Sequence, residues 1–197
     1  MKMNFKKAVI TSALSLASVL AVQAQAAEYM IDVKGAHAFV QFKIKHLGYS
    51  WLLGRFNDFD GGFSYDAKSP NDSKINVVIE TASIDSNHAE RDKHLRGKDF
   101  LDVKSYPKAS FVSTGFKFSD ADNAVVSGTF TLHGVEKTIS FPVTRVGEGK
   151  DPWTGYRAGF EGKTSLKLTD YGIDYNLGPA SAHVEIELYV EGIRRKP

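Results

Sequence analysis

Three observations in the sequence predict an all-β fold, an antiparallel barrel or sandwich of about nine short strands. Apolar and polar residues alternate with period two over most of the chain after residue 26. Clusters of Gly, Asp, Asn and Pro punctuate that alternation. One charged stretch, residues 87–101, lacks it and reads as a short helical segment. Alternation marks half-buried strands because successive side chains on a strand point to opposite faces of the sheet.

In chain order, an irregular strand is predicted over 29–33. Residues 38–46 follow, with Ala38, Val40, Phe42, Ile44 and His46 on one face and Gln41, Lys43 and Lys45 on the other. A less regular strand spans 53–65. In 75–81, Ile75, Val77, Ile79 and Thr81 share a face. A second irregular strand, 108–118, precedes 124–132, where Val126, Gly128, Phe130 and Leu132 align. After 137–146 come 158–168, with Phe160, Thr164 and Leu166 on one face, and 184–190, with Val184, Ile186, Leu188 and Val190. The punctuation is Asp60-Gly61-Gly62, Ser69 to Asp72, Asp120 to Asn123, His133-Gly134 and Asp170-Tyr171-Gly172. In the helical segment, Asn87 is the expected N-cap and Glu90 completes a capping box. Gly97 is the expected stop, and Arg91, Leu95 and Phe100 are expected to face a barrel mouth.

Residues 1–26 read as an address. Lys2, Lys6 and Lys7 form a basic start, an uncharged, mostly apolar run follows, and Ala24-Gln25-Ala26 is a small-x-small cleavage site. This is the layout of a secretory signal peptide. The apolar run falls short of the ~20 residues a membrane span needs. A single domain is expected over 27–197, since no linker, repeat or low-complexity run divides it. The whole chain has a formal charge of +2. Removing the leader's three lysines leaves 22 Lys+Arg against 23 Asp+Glu, a charge of −1. The basicity belongs to the leader, which argues against a nucleic-acid partner, because that needs a basic stripe.

Most chemistry is excluded by what the chain lacks. Without cysteine there is no disulfide scaffold, thiolate metal site or thiol nucleophile. HExxH and GxSxG are absent. Gly162-Lys163-Thr164 resembles the end of a phosphate loop, but it lies inside an alternating strand, and Arg157 stands where the earlier glycine is required. The helical pairs His88/Asp92 and Glu90/His94 read as a solvated face rather than metal ligands. No cofactor, metal or catalytic set is predicted. His46, closing an apolar face, is either a polar group in a ligand cavity or a rim histidine bonded to backbone.

The segments HAFVQFKIKHLGYSWLLG (37–54), NHAERDKHLRGKDFL (87–101), TLHGVEK (131–137) and DPWTGYRAGF (151–160) carry a resemblance across the whole chain after the leader. It is similar to the YceI-like periplasmic proteins, a lipocalin-like group. The resemblance implies an eight-stranded antiparallel β-barrel with a short helical segment. It also implies an elongated apolar cavity for polyisoprenoid or similar long-chain lipids, including isoprenoid quinones, and no catalytic activity. A barrel of that size encloses one ligand. The expected lining is Val40, Phe42, Ile44, His46, Trp51, Phe111, Phe130, Phe160 and Leu188, with Trp51, Phe111 and Trp153 at the wall or mouth. The expectation is a periplasmic lipid carrier, with a homodimer left open. Its rivals are an enzyme acting on a lipid in the same cavity, and an outer-membrane barrel. The many Lys and Glu on the strands, and the Arg194-Arg195-Lys196-Pro197 terminus, speak against the last.

Overall fold

The computed structural model describes residues 26–196. The predicted leader lies outside the described residues, apart from Ala26. The strands are β1 (Ala27–Ile31), β2 (Phe39–His46), β3 (Ser50–Phe56), β4 (Phe59–Tyr65), β5 (Lys74–Glu80), β6 (Ile84–Asp85), β7 (Lys108–Phe118), β8 (Asn123–Leu132), β9 (Val135–Lys150), β10 (Tyr156–Lys167) and β11 (His183–Arg194), with α1 (Ala89–Leu95) between β6 and β7.

These strands close into an eight-stave antiparallel barrel, because three staves are broken in two. β11 pairs with β2 through Val184–Tyr189 and with β1 through Gly192–Arg194, so β1 and β2 form one interrupted stave. β3 pairs with β2 while β4 pairs with β1, and β6 pairs with β3 while β5 pairs with β4. β7 to β10 complete the circuit back to β11. Closure removes the free edges that an open sheet would expose.

Local chemistry explains the breaks and turns. His133 and Gly134 both have positive φ, 52° and 74°, the backbone a tight two-residue hairpin requires. Asp60-Gly61-Gly62 is not a turn, contrary to the sequence reading; it lies inside β4. A Cβ on Gly61 would sit 2.2 Å from the Asn76 carbonyl oxygen, and one on Gly62 would sit 2.7 Å from that of Tyr29. The glycines let neighbouring backbones approach. A bulge between Ser113 and Gly115 in β7 resets the alternation, so Phe116 and Phe118 turn inward with Phe111.

The helix is shorter than 87–101 and capped differently. Asn87 takes a left-handed φ of 61°, and the His88 ring accepts the Arg91 N–H at 3.2 Å. Arg91 does not face the barrel; its guanidinium donates to the Ser86 hydroxyl at 2.7 Å and to the Ser86 carbonyl. Asp92 is buried and accepts from the Ser86 N–H at 2.8 Å and from its hydroxyl. Leu95 packs on the core, and Phe100 is buried within it. With Leu101, Tyr171 and Ile173 they close one end of the barrel, here the helix end. Phe130 meets Tyr171 edge-on at 5.7 Å just beneath. The opposite, terminal end carries Ala27, Arg194 and the 66–73, 119–122 and 151–155 loops.

Candidate lipid-binding cavity

The inner faces of the staves build the site. Directly paired residues on antiparallel strands share a face, so the Phe111–Phe130 and Val40–Leu188 pairs fix the inward direction. Between them lies an apolar cavity of about 120 Å³, taken as the space open to the centre of a water molecule. That is room for on the order of ten waters. Its lining is almost wholly aliphatic and aromatic. On β10 the lining runs from Phe160 to Leu166, about 20 Å at ~3.3 Å per residue. The space is therefore long and narrow.

The candidate residues separate into three groups. Val40, Phe111, Phe130, Phe160 and Leu188 line the cavity. Phe42 and Ile44 face the same way and pack in the apolar core, but they are not part of the cavity lining. Phe42 is buried against Phe56, with ring centroids 5.9 Å apart, and covers Gly54. His46 and Trp51 lie outside the cavity. His46 is exposed where β2 ends. Trp51 pairs across from Lys45 and so takes the outer face, with the Lys45 ammonium 4.2 Å from its ring centre. Trp153 is likewise outside, 75% exposed in the β9–β10 loop.

On the β5–β7 wall, the expected face of Ile75, Val77 and Ile79 and the expected Phe111 line the cavity, while the second half of β7 was not legible in the sequence. Ladder pairing between these strands covers only Asn76–Glu80 and Lys108–Val112. Beyond it, the Ser113 hydroxyl accepts the Ile75 N–H at 2.9 Å. Phe116 and Phe118 fill the gap and line the cavity, their rings 6.3 Å apart. The glycine of Thr114-Gly115 was the one signal of this bulge.

A polar cluster sits on the outer surface where β1 and β2 part. Asp32, His37 and Glu191 bring ligand-type atoms within 4.8 Å of one another. Arg157 already occupies the cation's place. Its guanidinium donates to Asp32 at 2.8 Å, to Asp151 at 2.9 Å and to Glu191. Hydrogen bonds from His37 and then Arg157 hold the Asp32 carboxyl down at about 2. Bonding to Arg157 likewise lowers that of Asp151. The cluster reads as a clasp across the interrupted stave.

The family model described as the YceI-like domain matches residues 29–192. The chain belongs to the YceI-like family. It is 55% identical over 190 residues to a UPF0312 protein of Azotobacter vinelandii, covering 96% of this chain and 99% of that one. A UPF0312 protein of Shewanella sp. strain ANA-3 is 51% identical over 190 residues, covering 96% and 100%. Among solved structures, Burkholderia cenocepacia BcnA matches with a TM-score of 0.72 at 23% identity, covering 82% of this chain and 98% of that one. The Campylobacter jejuni YceI protein gives 0.70 at 26%, covering 78% and 91%. A polyisoprenoid-binding domain from Saccharophagus degradans gives 0.63 at 18%, covering 85% and 98%. This chain thus shares the YceI-like barrel with proteins far diverged in sequence.

Proposed function

We propose that this YceI-like protein is a periplasmic carrier that holds one long-chain isoprenoid-type lipid, with its tail in the barrel. The apolar cavity carries the reading: a narrow space about 20 Å long suits a linear chain better than a compact ligand. Each buried CH₂ contributes about 0.8 kcal/mol, so a polyprenyl tail binds tightly without any specific contact. The family and the polyisoprenoid-binding domain with the same barrel support this reading. The leader-like residues 1–26 support export to the periplasm.

The charged exterior favours a carrier over a membrane barrel. On the outer faces of β2, β10 and β11, Lys43 and Lys163 bridge Glu185 and Glu187 at 2.6–3.5 Å, where a lipid-facing barrel needs an apolar band. No helix among the described residues is long and apolar enough to cross a membrane. The protein acts by binding rather than turnover, since its cavity wall is apolar.

The test is uptake by delipidated protein, read by native mass spectrometry. The wild type takes up one polyprenol. Ile139→Trp, which puts an indole into the cavity from an incompletely buried wall position, keeps the fold by circular dichroism and loses uptake at least about tenfold. Unchanged uptake by that variant contradicts binding in the barrel.

A further inference from the structure

We infer that the β2–β3 hairpin is a docking site for an anionic phospholipid surface, with Leu47 and Tyr49 entering the interface and Lys45 meeting the phosphates. This goes beyond the carrier reading and stands on the outer surface alone. Eleven large apolar residues are exposed among the described residues, and four of them, Leu47, Tyr49, Trp51 and Leu53, fall within one hairpin. Single exposed apolar residues are ordinary, whereas a cluster marks a contact surface. Tyr49 is 87% exposed and Leu53 63%.

Nothing in the fold asks for these side chains. The Tyr49 N–H donates to the His46 carbonyl at 2.9 Å and closes the turn. Leu47 and Gly48 have φ of 52° and 87°, a backbone that favours Gly and Asn and disfavours a bulky residue. Leu47 therefore holds an unfavourable backbone conformation without burying its side chain. On β3 the inward direction belongs to Leu52, which packs on the core, so Trp51 and Leu53 take the outer face. The Ser181 hydroxyl donates to the Lys45 carbonyl at 2.6 Å, which pins the base of the hairpin and leaves its tip exposed.

Charge names the occupant. Residues 39–56 hold Lys43, Lys45, His46 and Arg55 and no acid. Register extends this across the outer face. Lys167 pairs with His183, the adjoining Val184–Ile44 pair sets His183 beside Lys45, and Lys45 pairs with Trp51. The row nearest the hairpin tip is thus Lys167, His183, Lys45 and Trp51, and none of the ion pairs among the described residues uses it. The acids of these strands, Glu185 and Glu187, lie further back and are taken by Lys43 and Lys163. Arg55 pairs across from Asp85 on β6. Asp170 and Asp174 belong to the loop whose Tyr171 and Ile173 plug the barrel mouth, not to these strands. The Lys45 ammonium lies 4.2 Å from the Trp51 ring centre. Trp and Tyr rings settle at the headgroup level of a membrane, and a lysine stem lying there carries its ammonium up to the phosphates.

The test is flotation of the protein with vesicles of phosphatidylcholine alone or of equal parts phosphatidylcholine and phosphatidylglycerol. The wild type should bind the anionic vesicles at least about tenfold more tightly. Lys45→Gln should weaken that binding about fivefold, and Leu47→Asn combined with Leu53→Thr at least about tenfold. Each should keep the wild-type circular dichroism and the wild-type uptake of polyprenol from detergent. Val125→Thr, at an exposed position on β8 across the barrel, should bind vesicles as the wild type does. In Trp153→Phe, which leaves Trp51 as the one tryptophan, emission should move to shorter wavelength on the anionic vesicles. A wild type that ignores the anionic vesicles or binds both kinds alike, or hairpin variants that bind as the wild type does, overturns the docking site and leaves the carrier standing. A wild-type dimer by sedimentation that the Leu47→Asn, Leu53→Thr protein loses, without vesicle binding, gives the face to a second copy and overturns it too. Loss of detergent-phase uptake in the hairpin variants places their effect in the barrel and overturns docking. Vesicle binding by a wild type that takes up no polyprenol overturns the carrier alone.

Discussion

At the residue scale, two carboxylates do opposite work. Asp92 is buried and organises a turn: the Ser86 N–H and hydroxyl both donate to it, and Arg91 holds the other side of that hydroxyl. Removing it leaves buried donors without an acceptor. Asp92→Ala should therefore lower unfolding free energy by about 1–3 kcal/mol in a urea titration. Asp32 acts at the surface clasp. Its carboxyl is lowered from 3.8 to about 2 in the folded protein by His37 and Arg157. A carboxyl shifted down in this way contributes stability that is fully present above pH 3.8 and is lost as the pH falls toward about 2. Asp32→Asn should melt below the wild type at pH 6, and the two melting curves should converge by about pH 2. A gap that persists at pH 2 would show that the clasp is not what the carboxylate supports. Asp32 was not singled out by sequence, because it lies in irregular backbone where no periodicity marks an inward face; Asp92 was read with His88 as a solvated helical face, whereas the turn at Ser86 folds over it and buries it.

At the scale of elements, alternation made most strands legible. It placed Val126, Phe130, Phe160 and Leu188 on inward faces, and closure of the sheet turned those faces into one cavity wall. What alternation cannot carry is where a stave breaks. The excursion between Ile31 and Phe39 is held by the Arg157 clasp, and two-residue β6 is held by Arg96, which donates to the Ala82 and Ile84 carbonyls at 2.7 and 2.6 Å. These are long-range contacts with no local signature. The same limit explains His46 and Trp51. A period-two pattern assigns a side, but not the point along the stave where the barrel ends. Trp51 was read by size, although its pairing with Lys45 puts it outside. Small residues on the inner wall are as informative as large ones. The Phe111 ring lies over Gly128, where a Cβ would be 2.5 Å from both the ring and the Val112 carbonyl oxygen. Gly128→Ala should cost about 1–3 kcal/mol by overpacking, measured by thermal unfolding. A neutral result would show that Phe111 moves freely.

At the scale of the whole molecule, one barrel combines a packed plug at one end with a hollow interior. The plug of Phe100, Leu101, Tyr171 and Ile173 closes the helix end, and the cavity runs from beneath it toward the terminal end. The fold class was legible in the sequence because turn chemistry and alternation agreed along the chain. The hollow interior was not, since the same aromatic residues would fill a solid core equally well. Charge lies on the outer faces and at the rim, and the interior is apolar. The most direct test of a lipid carrier is native mass spectrometry of the protein purified from the cells that make it, followed by organic extraction. One co-purifying isoprenoid-type lipid of defined mass per chain is the predicted result. A ligand-free protein that also takes up neither polyprenol nor prenylated quinone after delipidation would contradict it.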